Sequence, residues 1–166
     1  MDNVNSEKYR KLRNRDNHNC FGCSPKNSVG LQMEFYSDDK EVISHVTVPA
    51  HMCGWDTMVH GGIISTIMDE IMSWTTIYLM KSFILTKSMN VDFLKPVFIE
   101  TPLKVVGNVI EKKNEREAFT RGELYNDEGV LCARSTGTFA LLSPEYVKKK
   151  GMIKDEDFTE YMNMLL

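Results

Sequence analysis

A long segment with helical periodicity and few polar residues constrains the fold of this chain more than any other feature. From His60 to about Met80, apolar residues recur at three- and four-residue spacing. They cover a wide arc of the helix, so other elements have to enclose it. A flat sheet cannot bury the whole circumference of such a helix. The segment therefore predicts a sheet that curls around it.

Segments with two-residue periodicity flank this helix. Six of them are predicted to be strands, at residues 31–36, 42–48, 89–94, 103–109, 119–124 and 130–142. Asn126–Gly129 has the composition of a hairpin turn, and Ser143-Pro144 is typical of a helix start. The order predicts an α+β fold in which a curled antiparallel sheet of about six strands wraps one long central helix.

Composition narrows the class of protein. With 166 residues, the chain can form one domain with a sizeable core. Its 20 basic and 23 acidic residues give a net charge of -3, without the basic excess of a nucleic-acid-binding protein. We find neither an apolar run of membrane-spanning length nor the apolar core of a signal peptide. We therefore expect a cytoplasmic protein that binds neither nucleic acid nor membrane, with a charged arm (1–18), one folded domain (19–143) and a helical tail (144–166).

The start of the predicted helix carries the residues best suited to chemistry. Gly61 and Gly62 let a ligand approach closely, and the unpaired N–H groups of a helix start can stabilise an oxyanion. Asp69 and Glu70 follow about two turns later. An unpaired carboxylate is costly to bury in an apolar helix, which favours a general base or nucleophile at a cleft. Salt bridges or interface hydrogen bonds would explain the two carboxylates equally well, and the spacing alone leaves both interpretations open.

The segment His60–Asp69 resembles the HGG-x6-D signature of hotdog-fold acyl-CoA thioesterases of the PaaI-like group. Cys20–Leu31 is similar to the Cys-Phe-x-Cys-Gly opening of one branch of that group, with Ser24 and Ser28 in place of the usual Gly and Pro. The likeness extends over residues 20–142 and also includes Gly54–His60, Met68–Glu70 and Asn90–Val97.

The resemblance implies roles for five residues. Asp69 matches the catalytic carboxylate, which activates water or attacks the thioester carbonyl directly. Gly62 matches the residue whose N–H binds the carbonyl oxygen, and His60 helps to shape that oxyanion site or only caps the helix. Thr86 falls where relatives hold the attacking water. Glu70 matches an acidic residue of the branch whose role is less defined.

Substrate contacts are implied at four further positions. Gly61 lies at the helix start, and Gly54 stands where many relatives carry an Asn or Gln that touches the thioester. Trp55 is a candidate for the acyl pocket, with packing as its alternative. Lys95 is a candidate for the coenzyme A phosphates, since cations of this type bind phosphate, with a solvated surface charge as its alternative.

The four cysteines do not form a disulfide framework in a chain of this length. Cys20 and Cys23 have the spacing of half a zinc site, and His18 could add a ligand, but a second close pair is missing. A thioredoxin-like redox role lacks its strand–loop–helix context. Because the branch opens with the same cysteines, we interpret them as structural and expect no metal.

The resemblance thus implies an enzyme that hydrolyses an acyl-CoA to a free acid and coenzyme A. Coenzyme A is part of the substrate, so no other cofactor is expected. In hotdog dimers the helix-end donors and the carboxylate usually come from different subunits, which implies a homodimer or a homotetramer. Two alternatives stay open: a non-catalytic protein that binds acyl-CoA, and a hotdog dehydratase or hydratase. Apolar pockets discriminate weakly between acyl chains, so the chain itself is not predicted.

Overall fold

A computed structural model describes residues 8–165 of the chain. Its strands are β1 (Arg10–Lys11), β2 (Phe35–Ser37), β3 (Val42–Thr47), β4 (Cys53–Trp55), β5 (Met58–Val59), β6 (Phe83–Phe93), β7 (Pro102–Asn114), β8 (Glu117–Tyr125) and β9 (Leu131–Leu142). Its α-helices are α1 (Gly61–Met80), α2 (Pro144–Lys149) and α3 (Phe158–Leu165), with 3₁₀ turns at Ala50–Met52 and Asp155–Asp157. Within these residues, no helix combines the length and apolar character needed to cross a membrane.

One antiparallel sheet of seven strands dominates the fold, in the order β1-β2-β3-β7-β8-β9-β6. The short strands β4 and β5 pair separately, just before α1. The predicted α+β architecture, with one long helix against a curled antiparallel sheet, is confirmed. The sheet has one strand more than the predicted six, because β1 adds two residues at the edge beside β2.

The helix α1 packs against the sheet along most of its length. Ile67, Met68, Ile71 and Met72 are completely buried. The sheet approaches α1 so closely at Gly107 that an added Cβ would lie 2.0 Å from the Thr75 hydroxyl. This packing fixes where the polar residues of α1 point.

The backbone between residues 31 and 34 departs from the predicted strand, which begins only at Phe35. Gln32 has a positive φ of 49°, which breaks the extended conformation. Leu31 and Met33 are buried as the alternation predicts, but their N–H groups donate to the carbonyls of Phe21 and Gly22. This part of the strand prediction is wrong because a loop supplies the backbone partners.

The two ends of the described chain meet each other. The buried guanidinium of Arg15 donates through Nε to Glu160 at 2.8 Å and through an Nη atom to Asp157. Ser143 caps α2 as predicted, accepting from the Tyr146 N–H. Residues 1–7 of the predicted arm lie outside the described residues, and the division into arm, domain and tail stays a prediction.

Candidate active site

Asp69 and Thr86 come together between the central helix and the edge strand β6. The Thr86 hydroxyl donates to Asp69 Oδ1 at 2.8 Å. Partial burial raises the pKa of Asp69, and the hydrogen bond from Thr86 acts in the opposite direction. Directly after Thr86, the pairing of β6 with β9 shifts register. Irregularities of this kind change the direction of side chains and are common next to active sites. The arrangement places a half-buried carboxylate beside a hydroxyl that faces solvent.

His60 caps the N-terminus of α1. Its backbone is extended (φ -60°, ψ 136°), so the helix begins at the following residue. Its Nδ1 accepts a hydrogen bond from the Gly62 N–H at 2.9 Å. The donor expected to bind a substrate carbonyl is therefore engaged by the neighbouring imidazole. Gly61 is exposed beside the ring of Phe93, whose nearest atoms would lie 3.8 Å from an added Cβ. Phe93 was not among the residues singled out from the sequence.

Gly54 packs directly against His60. A Cβ at this position would lie 3.1 Å from His60 Cα and 3.3 Å from its Cδ2. The space that a larger side chain would need is thus taken by the histidine. This contact gives a physical reason for a glycine where many relatives carry Asn or Gln.

Trp55 and Lys95 lie on the surface. Trp55, at the end of β4, is 80% exposed, so it does not pack into the core of this chain. Lys95 is exposed and is fixed through its backbone N–H, which donates to the Cys132 carbonyl at 3.0 Å. The structure does not bring either side chain into contact with Asp69 or Thr86.

Glu70 points away from Asp69, toward the loop that carries Cys20 and Cys23. Glu70 Oε1 lies 3.3 Å from Cys20 Sγ, and burial raises the pKa of Glu70 to about 8. The Cys23 thiol and backbone N–H groups lower the pKa of Cys20 to about 5, whereas contact with Cys20 and burial raise the pKa of Cys23. The adjacent acidic residues therefore have different hydrogen-bond partners, although the Cys20 thiol raises the pKa of both. In the sequence, the feature related to the contact between Glu70 and the cysteine loop is Gly22. Because this glycine has no side chain, the Glu70 carboxylate fits between Cys20 and Cys23.

Residues 57–133 match the family described as the thioesterase superfamily. This chain has the hotdog fold, and just under half of it resembles the thioesterase superfamily. Acyl-coenzyme A thioesterase THEM4 of Rattus norvegicus is 24% identical over 141 residues, covering 83% of this chain and 60% of that protein. The uncharacterized protein C26H8.11c of Schizosaccharomyces pombe is 30% identical over 93 residues, covering 53% of each chain. The domain thus spans between about half and three fifths of the length of these relatives.

Solved hotdog structures superpose on this domain. The thioesterase superfamily protein RHA08564 has a TM-score of 0.66 at 20% identity, covering 72% of this chain and 58% of its own. The Escherichia coli PaaI protein has a TM-score of 0.61 at 17% identity, with 68% and 81% covered. Protein smu.793 of Streptococcus mutans, solved bound to acetyl CoA, has a TM-score of 0.62 at 20% identity, with 67% and 89% covered. The resemblance to PaaI-like hotdog proteins is confirmed.

Proposed function

We propose that this domain is an acyl-CoA thioesterase that hydrolyses its substrate to a free acid and coenzyme A. The observation that carries the proposal is the contact between Thr86 Oγ1 and Asp69 Oδ1, at 2.8 Å. The match to the thioesterase superfamily, the similarity to THEM4 and the acetyl CoA bound to smu.793 support this ligand class. The proposal includes no cofactor beyond the coenzyme A of the substrate. The expected absence of another cofactor and the cytoplasmic location both stay predictions.

Asp69 acts on the thioester carbonyl, either through a water or directly. The Thr86 hydroxyl donates a hydrogen bond to Asp69. The lone pairs of Thr86 Oγ1 are therefore available to hold a water beside the carboxylate. As general base, Asp69 takes a proton from that water while the water oxygen bonds to the carbonyl carbon. The tetrahedral intermediate then collapses and expels the coenzyme A thiolate. As nucleophile, an Asp69 carboxylate oxygen bonds to the carbonyl carbon, and the C–S bond breaks as the coenzyme A thiolate leaves. Water then hydrolyses the acyl-aspartyl anhydride, which gives the free acid and restores the carboxylate.

The Gly62 N–H stabilises the oxyanion. Donors at a helix start suit this role because the macrodipole adds partial positive charge there. In the structure this N–H donates to His60 Nδ1. The substrate carbonyl must therefore replace the imidazole or share the N–H with it. His60 thus holds the Gly62 N–H in position before substrate binds. The close packing of Gly54 against His60 in turn holds the histidine in place.

The exposed edge of β6 supports a homodimer, alone or within a homotetramer. β6 is eleven residues long and pairs with β9 on one side, and no other strand of residues 8–165 covers its second side. Leu85 and Phe93 on this strand are 48% and 56% exposed. Long apolar edge strands favour pairing with another chain. In the proposed dimer, Asp69 of one subunit works with the Gly62 N–H of the other.

The remaining candidates have supporting roles in this proposal. Gly61 and Trp55 line the approach of the acyl group, and Lys95 meets the coenzyme A phosphates. Glu70 does not touch the attacking water, because its carboxylate contacts Cys20. Its carboxylate connects α1 to the loop that carries Cys20 and Cys23.

The proposal is tested by following coenzyme A release from short, medium, long and aryl acyl-CoAs with a thiol reagent. Hydration of one enoyl-CoA and binding by calorimetry are measured in parallel on the same protein. We expect turnover of at least one thioester, with no hydration. Tight binding without turnover would favour the acyl-CoA-binding alternative, and hydration without coenzyme A release would favour a hydratase. Either result would contradict the proposed hydrolysis.

A further inference from the structure

Three side chains with metal-binding atoms converge behind the catalytic helix. The sulfur atoms of Cys20 and Cys23 and a carboxylate oxygen of Glu70 all lie within 4.8 Å of one another. Cys20 and Glu70 are half-buried and Cys23 is buried. In a tetrahedral zinc site with Zn–S distances of about 2.3 Å, neighbouring sulfurs are about 3.8 Å apart. The three atoms can therefore reach one ion through small side-chain movements.

The loop is built around the Glu70 carboxylate. An added Cβ on Gly22 would lie 2.2 Å from Glu70 Cγ and 2.5 Å from Oε1, so any larger residue there displaces the Glu70 side chain. The Gly22 carbonyl accepts from the Met33 N–H at 2.9 Å, and the Cys23 carbonyl accepts from Asn14 Nδ2 at 2.8 Å. These bonds hold the two cysteines in place on either side of the glycine. The ligand atoms are thus positioned before any ion binds.

A hydrogen bond already joins two of the three ligand groups. Cys20 Sγ lies 3.3 Å from Glu70 Oε1, with the thiol as donor. A metal ion takes the place of the thiol proton when it binds, because the thiolate is the form that binds metal.

A cavity borders the cluster on one side. It has a volume of about 330 Å³ and is lined by Cys23, Asn14, Gln32 and Met33. Cys20 and Glu70 do not line this cavity, but both are only half-buried. Ligand identity and ligand spacing, two of the properties by which a metal site is judged, thus support metal binding.

We propose that Cys20, Cys23 and Glu70 bind one zinc ion, with water as the fourth ligand. Thiolates with a carboxylate select zinc among the common divalent ions, since calcium and magnesium prefer oxygen ligands alone. This proposal replaces the expectation of no metal, which rested on the missing second cysteine pair and on the matching cysteines in the family resemblance. The ion fastens the loop to α1 at the residue after Asp69. The proposal does not depend on hydrolysis, because the site binds metal whether or not the domain turns over acyl-CoA.

Metal content tests the site directly. The protein is produced with zinc in the medium, purified without chelators, and measured by inductively coupled plasma mass spectrometry. The variants Cys20→Ser, Cys23→Ser and Glu70→Gln are compared with Cys53→Ser, which removes an exposed thiol outside the cluster. We expect about one zinc ion per chain in the wild type and in Cys53→Ser. Each ligand variant should bind zinc at least about 100-fold more weakly, since even changes around the ligands cost about 10- to 100-fold.

Cobalt substitution of the wild type keeps the test independent of whether the variants fold. Cobalt bound by two thiolates gives intense charge-transfer absorption and the visible bands of a tetrahedral ion. Absence of these bands together with absence of zinc would overturn the proposal. A Cys20→Ser variant that retains zinc as tightly as the wild type, or a Cys20–Cys23 disulfide in the purified protein, would also overturn it.

Discussion

The hydroxyl of Thr86 on β6 donates to the carboxylate of Asp69 on α1, across 17 residues of sequence and 2.8 Å of space. Asp69 lies on α1, the helix at the centre of the fold. Thr86 lies on β6, an edge strand whose only partner among the described residues is β9. The pair therefore lies where a second copy of the chain would complete a cleft. Its chemistry and its position together support thioester hydrolysis.

The first prediction concerns the hydroxyl of Thr86. Thr86→Val keeps the shape of the side chain but removes its hydrogen bond to a charged carboxylate. We expect kcat to fall about 10- to 100-fold, since such a bond contributes about 1.5–3 kcal/mol. Thr86→Ser keeps the hydroxyl and should stay within a few-fold of the wild type. Steady-state coenzyme A release measures both, and equal rates for Val and Ser variants would remove the role given to Thr86.

The second prediction concerns the helix cap. His60→Ala removes the acceptor of the Gly62 N–H at the start of α1. By analogy with other side-chain caps, we expect the free energy of unfolding to fall by about 0.5–2 kcal/mol. His60→Asn keeps a side-chain acceptor and should lose less. Urea denaturation gives the values, and an Ala variant as stable as the wild type would show that the cap does not stabilise α1.

The third prediction concerns the close approach of Gly22 and Glu70. Gly22→Ala places a Cβ where the Glu70 side chain lies and should lower the free energy of unfolding by about 1–3 kcal/mol. In the Glu70→Ala variant, the side chain that obstructs the added Cβ is absent. Gly22→Ala should therefore lower the free energy of unfolding much less in that variant than in the wild type. A double-mutant cycle from denaturation curves measures this coupling. If the two changes simply add, the contact does not account for the glycine.

The fourth prediction concerns the edge of β6. Leu85 lies next to Thr86 in sequence but points to the opposite face of the strand. Leu85→Lys places a charge on the proposed dimer surface and should produce a folded monomer without turnover. Val130→Lys, a matched change at an exposed apolar residue in the turn before β9, should stay dimeric and active. Light scattering after gel filtration gives the mass, and a dimeric Leu85→Lys variant with normal activity would argue against this interface.

Local patterns in the sequence were sufficient for the architecture and for part of the candidate site. Helical periodicity predicted α1, whose length carries Gly62 and Asp69 on one rigid element. The family resemblance singled out both Asp69 and Thr86, and the structure brings the two side chains into hydrogen-bond contact. These features depend on local repeats and on motif order.

Contacts between distant segments were out of reach. Glu70 meets Cys20 across 50 residues, and no periodicity reports that two such segments touch. The strand predicted from residue 31 begins only at Phe35, because Phe21 and Gly22 supply backbone acceptors to the residues on either side of Gln32. In each case tertiary structure decided the local conformation.

The most direct test of the account compares Asp69→Asn with the wild type on the best acyl-CoA substrate. The control is Asp127→Asn, the same carboxylate-to-amide change in the exposed turn before β9. Circular dichroism and acyl-CoA binding establish that each variant folds and binds. We predict that kcat falls by at least about 100-fold in Asp69→Asn, the range of a lost general base, and is unchanged in Asp127→Asn. A folded Asp69→Asn variant that releases coenzyme A within a few-fold of the wild-type rate would contradict the role of Asp69.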